Sequence, residues 1–100
     1  MHSKKQEDGL KKYEVTFIFD PREEVETLKN YVKELFKSQN GSVIDEKDWG
    51  LRKLAYSINK RDKGFYYIVN AQLDETKNEV LKRELNLKEP VLRYLFIKKA

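Results

Sequence analysis

The side chains in this sequence that could do chemistry are cationic and aromatic, and they are interleaved. Lys60, Arg61 and Lys63 stand just before the run Phe65-Tyr66-Tyr67, and Arg52 and Lys53 follow Trp49. Lys11, Lys12, Arg93, Lys98 and Lys99 flank apolar stretches near the two ends. Lys and Arg hold phosphate oxygens from loops and strand ends, Arg bidentately, and aromatic faces accept stacked bases. These ten cations are therefore candidate contacts to a nucleic-acid backbone. Arg52 and Arg93 lead, Arg93 because it is expected on an outer sheet face amid apolar neighbours. The pattern for hydrolysis is weaker. Asp45, Glu46 and Asp48 cluster without a histidine, and a catalytic carboxylate pair needs an apolar pocket to separate its pKa values, so they read as a solvated charge run. No phosphate-cradling glycine loop and no nucleophile-base motif occurs. The reading is a non-enzyme with no cofactor, no metal and no small-molecule substrate.

Bulk properties bound the rest. One hundred residues fit one domain, and the absence of cysteine rules out disulfides and thiolate zinc sites. The single histidine, His2, cannot assemble a metal centre alone. With 21 basic against 17 acidic residues the net charge is +4, a modest excess that suits a polyanionic partner. The bases are scattered rather than gathered on an amphipathic helix, which argues against a membrane partner. Met1 to Leu10 has no signal-peptide pattern and reads as a flexible tail, leaving residues 11–100 as the domain of a soluble, unexported chain.

The elements that must position these groups follow from periodicity. In "KKYEVTFIFD" Tyr13, Val15, Phe17 and Phe19 alternate with Glu14, Thr16 and Ile18, the period of a half-buried strand. Asp20 is expected to cap a first helix with Pro21 in its first turn and Glu23 completing the start. Val25, Leu28, Val32, Leu35 and Phe36 share its inner face, and Asn40-Gly41 ends it. Ser42 to Ile58 is strand-like with a bend at Gly50, "NKRDKG" is a turn, and "FYYIVNAQL" is the next strand. Asp74 is expected to cap a second helix with Val80, Leu81 and Leu85 inward, before Pro90 and the last strand "VLRYLFIKK". The order β-α-β-β-α-β predicts a ferredoxin-like α+β fold, a four-stranded antiparallel sheet with two helices on one face.

Strand parity sorts the faces. Phe65, Tyr67, Val69, Ala71 and Leu73 form an all-apolar set that must meet the helices, leaving Tyr66, Ile68, Asn70 and Gln72 outside. "KGFYYIV" superficially matches the strand on which RNA-recognition motifs stack bases. Those stacking aromatics point away from the helices, so the parity is opposite to what such a platform needs. The outer face is nonetheless apolar in part: Thr16, Ile18, Tyr66, Ile68, Leu95 and Ile97 form a candidate partner-binding surface rimmed by Glu14, Arg93 and Asn70. Tyr56 shares parity with Leu54 and Ile58 and is expected in the core. Trp49 is expected to cover an apolar edge near Gly50.

"GLRKLAYSI", Gly50 to Ile58, resembles the signature hairpin strand of the family of the sixth protein of the bacterial small ribosomal subunit. Gly50, Arg52, Leu54, Ala55, Tyr56 and Ile58 match its pattern, and Lys53 takes a polar position. "KKYEVTFIFDP", "KGFYYIV" and "LKRELNLKEPVLRYLFIK" resemble the family's first strand, third strand, and second helix with closing strand, so the likeness runs from Lys11 to Lys99. The resemblance implies a structural component of the small subunit, cytoplasmic in the ribosome. It implies binding to the central domain of small-subunit ribosomal RNA together with the eighteenth small-subunit protein, the pair being the tight ligand. No long acidic tail follows Lys99 in this sequence, so a role of such an extension is not expected from the resemblance. Two rivals share the topology. A small acylphosphatase-type enzyme needs a glycine-rich, arginine-bearing loop after the first strand, where this chain has Asp20-Pro21. A regulatory module would self-associate through the open sheet.

Overall fold

A computed structural model describes residues 9–99. Strand β1 (Leu10–Phe19) leads through a turn to helix α1 (Val25–Ser38). Strands β2 (Ser42–Ile58) and β3 (Arg61–Asp74) form a long hairpin. A short 3₁₀ turn (Glu75–Lys77) runs into helix α2 (Asn78–Leu87), and β4 (Val91–Lys98) closes the fold. The sheet order is β2-β3-β1-β4 with every pairing antiparallel, the ferredoxin-like arrangement expected from the element order. Leu10 already pairs with Asp74, so the strand begins one residue inside the expected tail. The rest of that tail through residue 8, His2 included, and Ala100 lie outside the described residues.

The alternation holds where the core forms. Tyr13, Val15, Phe17 and Phe19 from β1 and Tyr67, Val69, Ala71 and Leu73 from β3 are buried against Leu28, Val32 and Phe36 of α1 and Leu81 and Leu85 of α2. Phe17 sits at the centre, with ring centroids 5.7 Å from Phe19, 6.1 Å from Tyr67 and 6.2 Å from Phe36. Each such side chain contributes about 1.5–3 kcal/mol on burial. Val80, expected inward, is only half-buried.

Three local expectations are corrected. Asp20 does not cap α1, which begins at Val25 after Glu24, a residue whose side chain makes no capping bond. Its carboxylate is 5% exposed and accepts from the Arg22 backbone N–H at 3.0 Å and from Arg61 Nε at 3.1 Å. A carboxylate that deep needs a cation more than a helix end needs a cap. Asp74 caps the 3₁₀ turn rather than α2 itself, accepting from Thr76 N at 3.0 Å. Finally, "NKRDKG" is not all turn. Only Asn59 and Lys60, with φ of 49° and 66°, make the two-residue left-handed connection that suits the twist of a hairpin, and Arg61 to Gly64 extend β3.

At the end of α1, Asn40 takes the left-handed conformation (φ 67°) and the Gly41 N–H donates to Phe36 O at 2.8 Å. Gly41 is required for space: a Cβ there would lie 2.8 Å from Leu73 Cδ2 and 3.1 Å from Phe36 O.

Candidate nucleic-acid and partner interface

Both helices pack on the odd-numbered side of β1 and β3, which leaves the other side of the sheet open. Its cross-strand rows are Asp45–Asn70–Glu14–Ile97, Lys47–Ile68–Thr16–Leu95 and Gly50–Tyr66–Ile18–Arg93. Leu95 and Ile97 are 57% and 46% exposed, and Thr16, Ile18 and Tyr66 are half-buried. Ile68, expected among the exposed set, is buried, because its central strand is flanked on both sides by Lys47 and Thr16. Thr16, Ile18, Arg93 and Leu95 line a shallow, largely apolar depression of about 350 Å³.

The hairpin carries an interruption between Val43 and Asp45 and, nearer its tip, two more that re-aim side chains, as bulges do. The first of these two falls between Asp48 and Gly50, where Gly50 has φ 85°, a value that favours glycine. It brings Trp49 over Tyr66, with centroids 6.4 Å apart and planes 23° from parallel. The Arg52 guanidinium lies 5.2 Å from the Trp49 ring and its Nε donates to Trp49 O at 3.4 Å. Trp49 thus covers an edge, as expected, and also takes part in a cation–aromatic stack. The second interruption is wider. Lys53 pairs with Lys63 and Ile58 with Arg61, so Leu54, Ala55, Tyr56 and Ser57 together face Asp62. Leu54 packs down on the open-face side to 7% exposure, with Cδ2 3.3 Å from where a Gly64 Cβ would be. Tyr56, expected in the core, is 83% exposed. Parity with Leu54 assumed an unbroken pleat, and the bulge breaks it.

Charge is segregated on this hairpin. Between Arg52 and Gly64 stand five bases, Arg52, Lys53, Lys60, Arg61 and Lys63, against Asp62 alone. The other 87 residues hold sixteen charges of each sign, so the whole +4 resides in these thirteen positions. Lys53, Lys60 and Lys63 are exposed and make no ion pair among the described residues. The remaining candidates divide. Lys12 and Arg93 are exposed on the open face, Arg93 beside Ile18. Arg61 is committed to the buried Asp20, and its Nη1 donates to Asn59 O at 2.8 Å. Lys98 pairs with Glu75 at 2.6 Å, Lys99 with Glu14 at 3.7 Å, and Lys11 is half-buried on the helix side. The Lys98 pairing raises that lysine's pKa and lowers that of Glu75, each mainly through their shared hydrogen bond.

The acidic cluster is exposed, as expected, but each of its carboxylates has a partner. Asp45 accepts from Asn70 Nδ2 at 2.8 Å on the open face. Glu46 and Asp48 point to the other side and tie β2 to α1: Glu46 meets Lys33 at 2.8 Å and accepts from Tyr67 Oη at 2.5 Å, and Asp48 meets Lys29 at 2.6 Å. The Lys33 and Tyr67 bonds lower the Glu46 pKa, while burial first and then Glu46 push the Tyr67 phenol up. Lys29, missed as a structural residue, keeps only 8% of its side chain exposed and lies 5.5 Å and 5.3 Å from the Phe65 and Tyr67 ring centres. Burial alone would lower its pKa, but hydrogen bonds to Asp48 and Glu26 outweigh that and raise it. The sequence signal for Lys29 was its place beside Leu28 on the inner helix face. No group of three or more His, Cys, Asp or Glu among the described residues could hold a metal ion, and no described helix is long and apolar enough to cross a membrane.

Fold and surface together define an open-faced ferredoxin-like domain: a helix-backed sheet whose bare face is apolar in part and whose hairpin concentrates positive charge toward its tip. A family model described as Ribosomal protein S6 matches residues 12–98. A "Small ribosomal subunit protein bS6" from Fusobacterium nucleatum is 37% identical over 92 residues, covering 89% of this chain and 98% of that protein. One from Thermoanaerobacter pseudethanolicus is 34% identical, covering 89% of this chain and 97% of its own. A crystal structure of 30S ribosomal protein S6 from Thermotoga maritima superposes with a TM-score of 0.80 at 23% identity, over 90% of this chain and 88% of that one, a likeness of fold. The chain belongs to the ribosomal protein S6 family. As a member it is a structural protein of the small ribosomal subunit and works in the cytoplasm, within the ribosome.

Proposed function

We propose that this chain binds the central domain of small-subunit ribosomal RNA as a pair with the eighteenth small-subunit protein, and so supports subunit assembly. The observation that carries the reading is the open sheet face. Leu95 and Ile97 remain about half exposed there beside Ile18, and no described helix covers them. An apolar face of this kind fits a protein partner. The cations suited to phosphate lie mainly on the adjoining hairpin: Arg52, Lys53, Lys60 and Lys63, with Lys12 and Arg93 on the open face. Arg61, Lys98, Lys99 and Lys11 rank below them because three of these are already engaged and Lys11 is half-buried. A net charge of only +4 suits a protein that shares phosphate neutralisation with a second chain.

The test is a salt series of binding to a central-domain RNA fragment, with and without the eighteenth protein. Binding that is tight only with the partner and weakens with salt supports the reading. Tight binding by this chain alone would replace it with an independent RNA binder. Leu95→Asp is expected to weaken pair formation roughly tenfold or more. An unchanged pair affinity would remove the open face from the interface.

A further inference from the structure

The wide bulge at Leu54–Ser57 gives up regular pairing for several residues, and its consequence is the position of one ring. Leu54 anchors the bulge over Gly64, while Tyr56 stands 83% exposed, the most exposed large apolar side chain among the described residues. A phenol so placed adds almost nothing to the core. It is surrounded in sequence and across the hairpin by Arg52, Lys53, Lys60 and Lys63, none of which has a carboxylate partner among the described residues, with Asp62 the one acid facing it. A bare aromatic face within a surplus of positive charge matches one chemistry well: a base whose π-face is free, attached to phosphates on either side.

We propose that Tyr56 is a stacking platform for an unpaired nucleotide of RNA, with Lys53, Lys60 and Lys63 holding the flanking phosphates. The proposal deepens the RNA-binding reading above and rests on it. An unpaired base is required because double-stranded RNA buries its base faces in the stack, out of reach of a ring from either groove. A protein occupant is disfavoured by the charge: all of the chain's net positive charge lies here, whereas the apolar face suited to a protein lies around Leu95 and Ile97.

The test uses the full chain paired with the eighteenth protein and the central-domain RNA fragment, comparing wild type with Tyr56→Phe, Tyr56→Leu and Tyr56→Ala. Each variant's melting temperature is expected to stay near wild type, since the site is exposed. Phenylalanine keeps the ring, so RNA affinity is expected within about twofold of wild type. Leucine keeps apolar bulk without a π-face, and both it and alanine are expected to lower affinity roughly tenfold. Pair formation measured without RNA is expected to be unchanged in all three. If leucine binds RNA as well as tyrosine does, stacking is wrong. If Tyr56→Ala weakens pair formation but not RNA binding by the assembled pair, the ring is a protein contact and the proposal falls. If the wild-type pair does not bind the RNA at all, the functional reading itself falls, and this inference with it.

Discussion

Gly64→Ala tests how tightly the open face is built. Gly64 lies in β3 with ordinary extended backbone, so alanine meets no conformational penalty there, only a penalty of space. The added methyl would collide with Ile18 Cγ2 and come within 3.3 Å of Leu54 Cδ2. Ile18 cannot swing aside cheaply, because Cγ2 is a β-branch methyl fixed by a restricted χ1 on a central strand. Overpacking of this kind costs about 1–3 kcal/mol, while replacing glycine gains about 0.4–1 kcal/mol by restricting the unfolded chain. The net loss is then about 1–2 kcal/mol, or roughly 5–15 °C in melting temperature for a domain of this size. Urea and thermal unfolding followed by circular dichroism would measure it. Adding Ile18→Leu moves the branch away from Cβ and is expected to recover about half the loss, since contacting sites couple by about 0.5–3 kcal/mol. A Gly64→Ala protein as stable as wild type, or a double variant no better than the single, would refute the claim that Ile18, Leu54 and Gly64 interlock.

Two further outcomes concern the ties between α1 and β2. Lys29→Met keeps the buried stem but removes the ammonium between Asp48 and Glu26. Because both carboxylates are substantially exposed and rehydrate, the expected cost is only about 1 kcal/mol. The raised Lys29 pKa means its contribution is fully present below pH 10.5 and fades as pH rises above that. Urea midpoints for the two proteins are therefore expected to differ by a constant amount from pH 7 to 10 and to converge above it. Divergence there would contradict the assignment. Glu46 has the opposite sign: its lowered pKa gives stability that is present above pH 4.5 and lost as pH falls. Glu46→Gln is expected to flatten the acid limb of the stability profile between about pH 5 and 3, and identical slopes would remove Glu46 from the acid response.

By itself the sequence determined the order of elements, the inner faces of β1, β3 and α1, and the family. Each of these is local: alternation of apolar residues, helical spacing from Val25 to Phe36, and a short motif read in place. What it did not determine were the partners of charged groups and the reach of the pleat. Asp20 looked like a helix cap because its neighbours Pro21 and Glu23 said so, yet Arg61, 41 residues away, holds its carboxylate. Asp48 and Glu46 are exposed, as their sequence suggested, but their partners Lys29 and Lys33 were hidden because they come from a different element. Tyr56 looked buried because parity carries a face along a strand only while one residue opposes one, and between Lys53 and Ile58 four residues face Asp62. Only the tertiary structure decided these, because a buried charge chooses its partner, and a bulge its position, by distances in space that sequence separation does not encode.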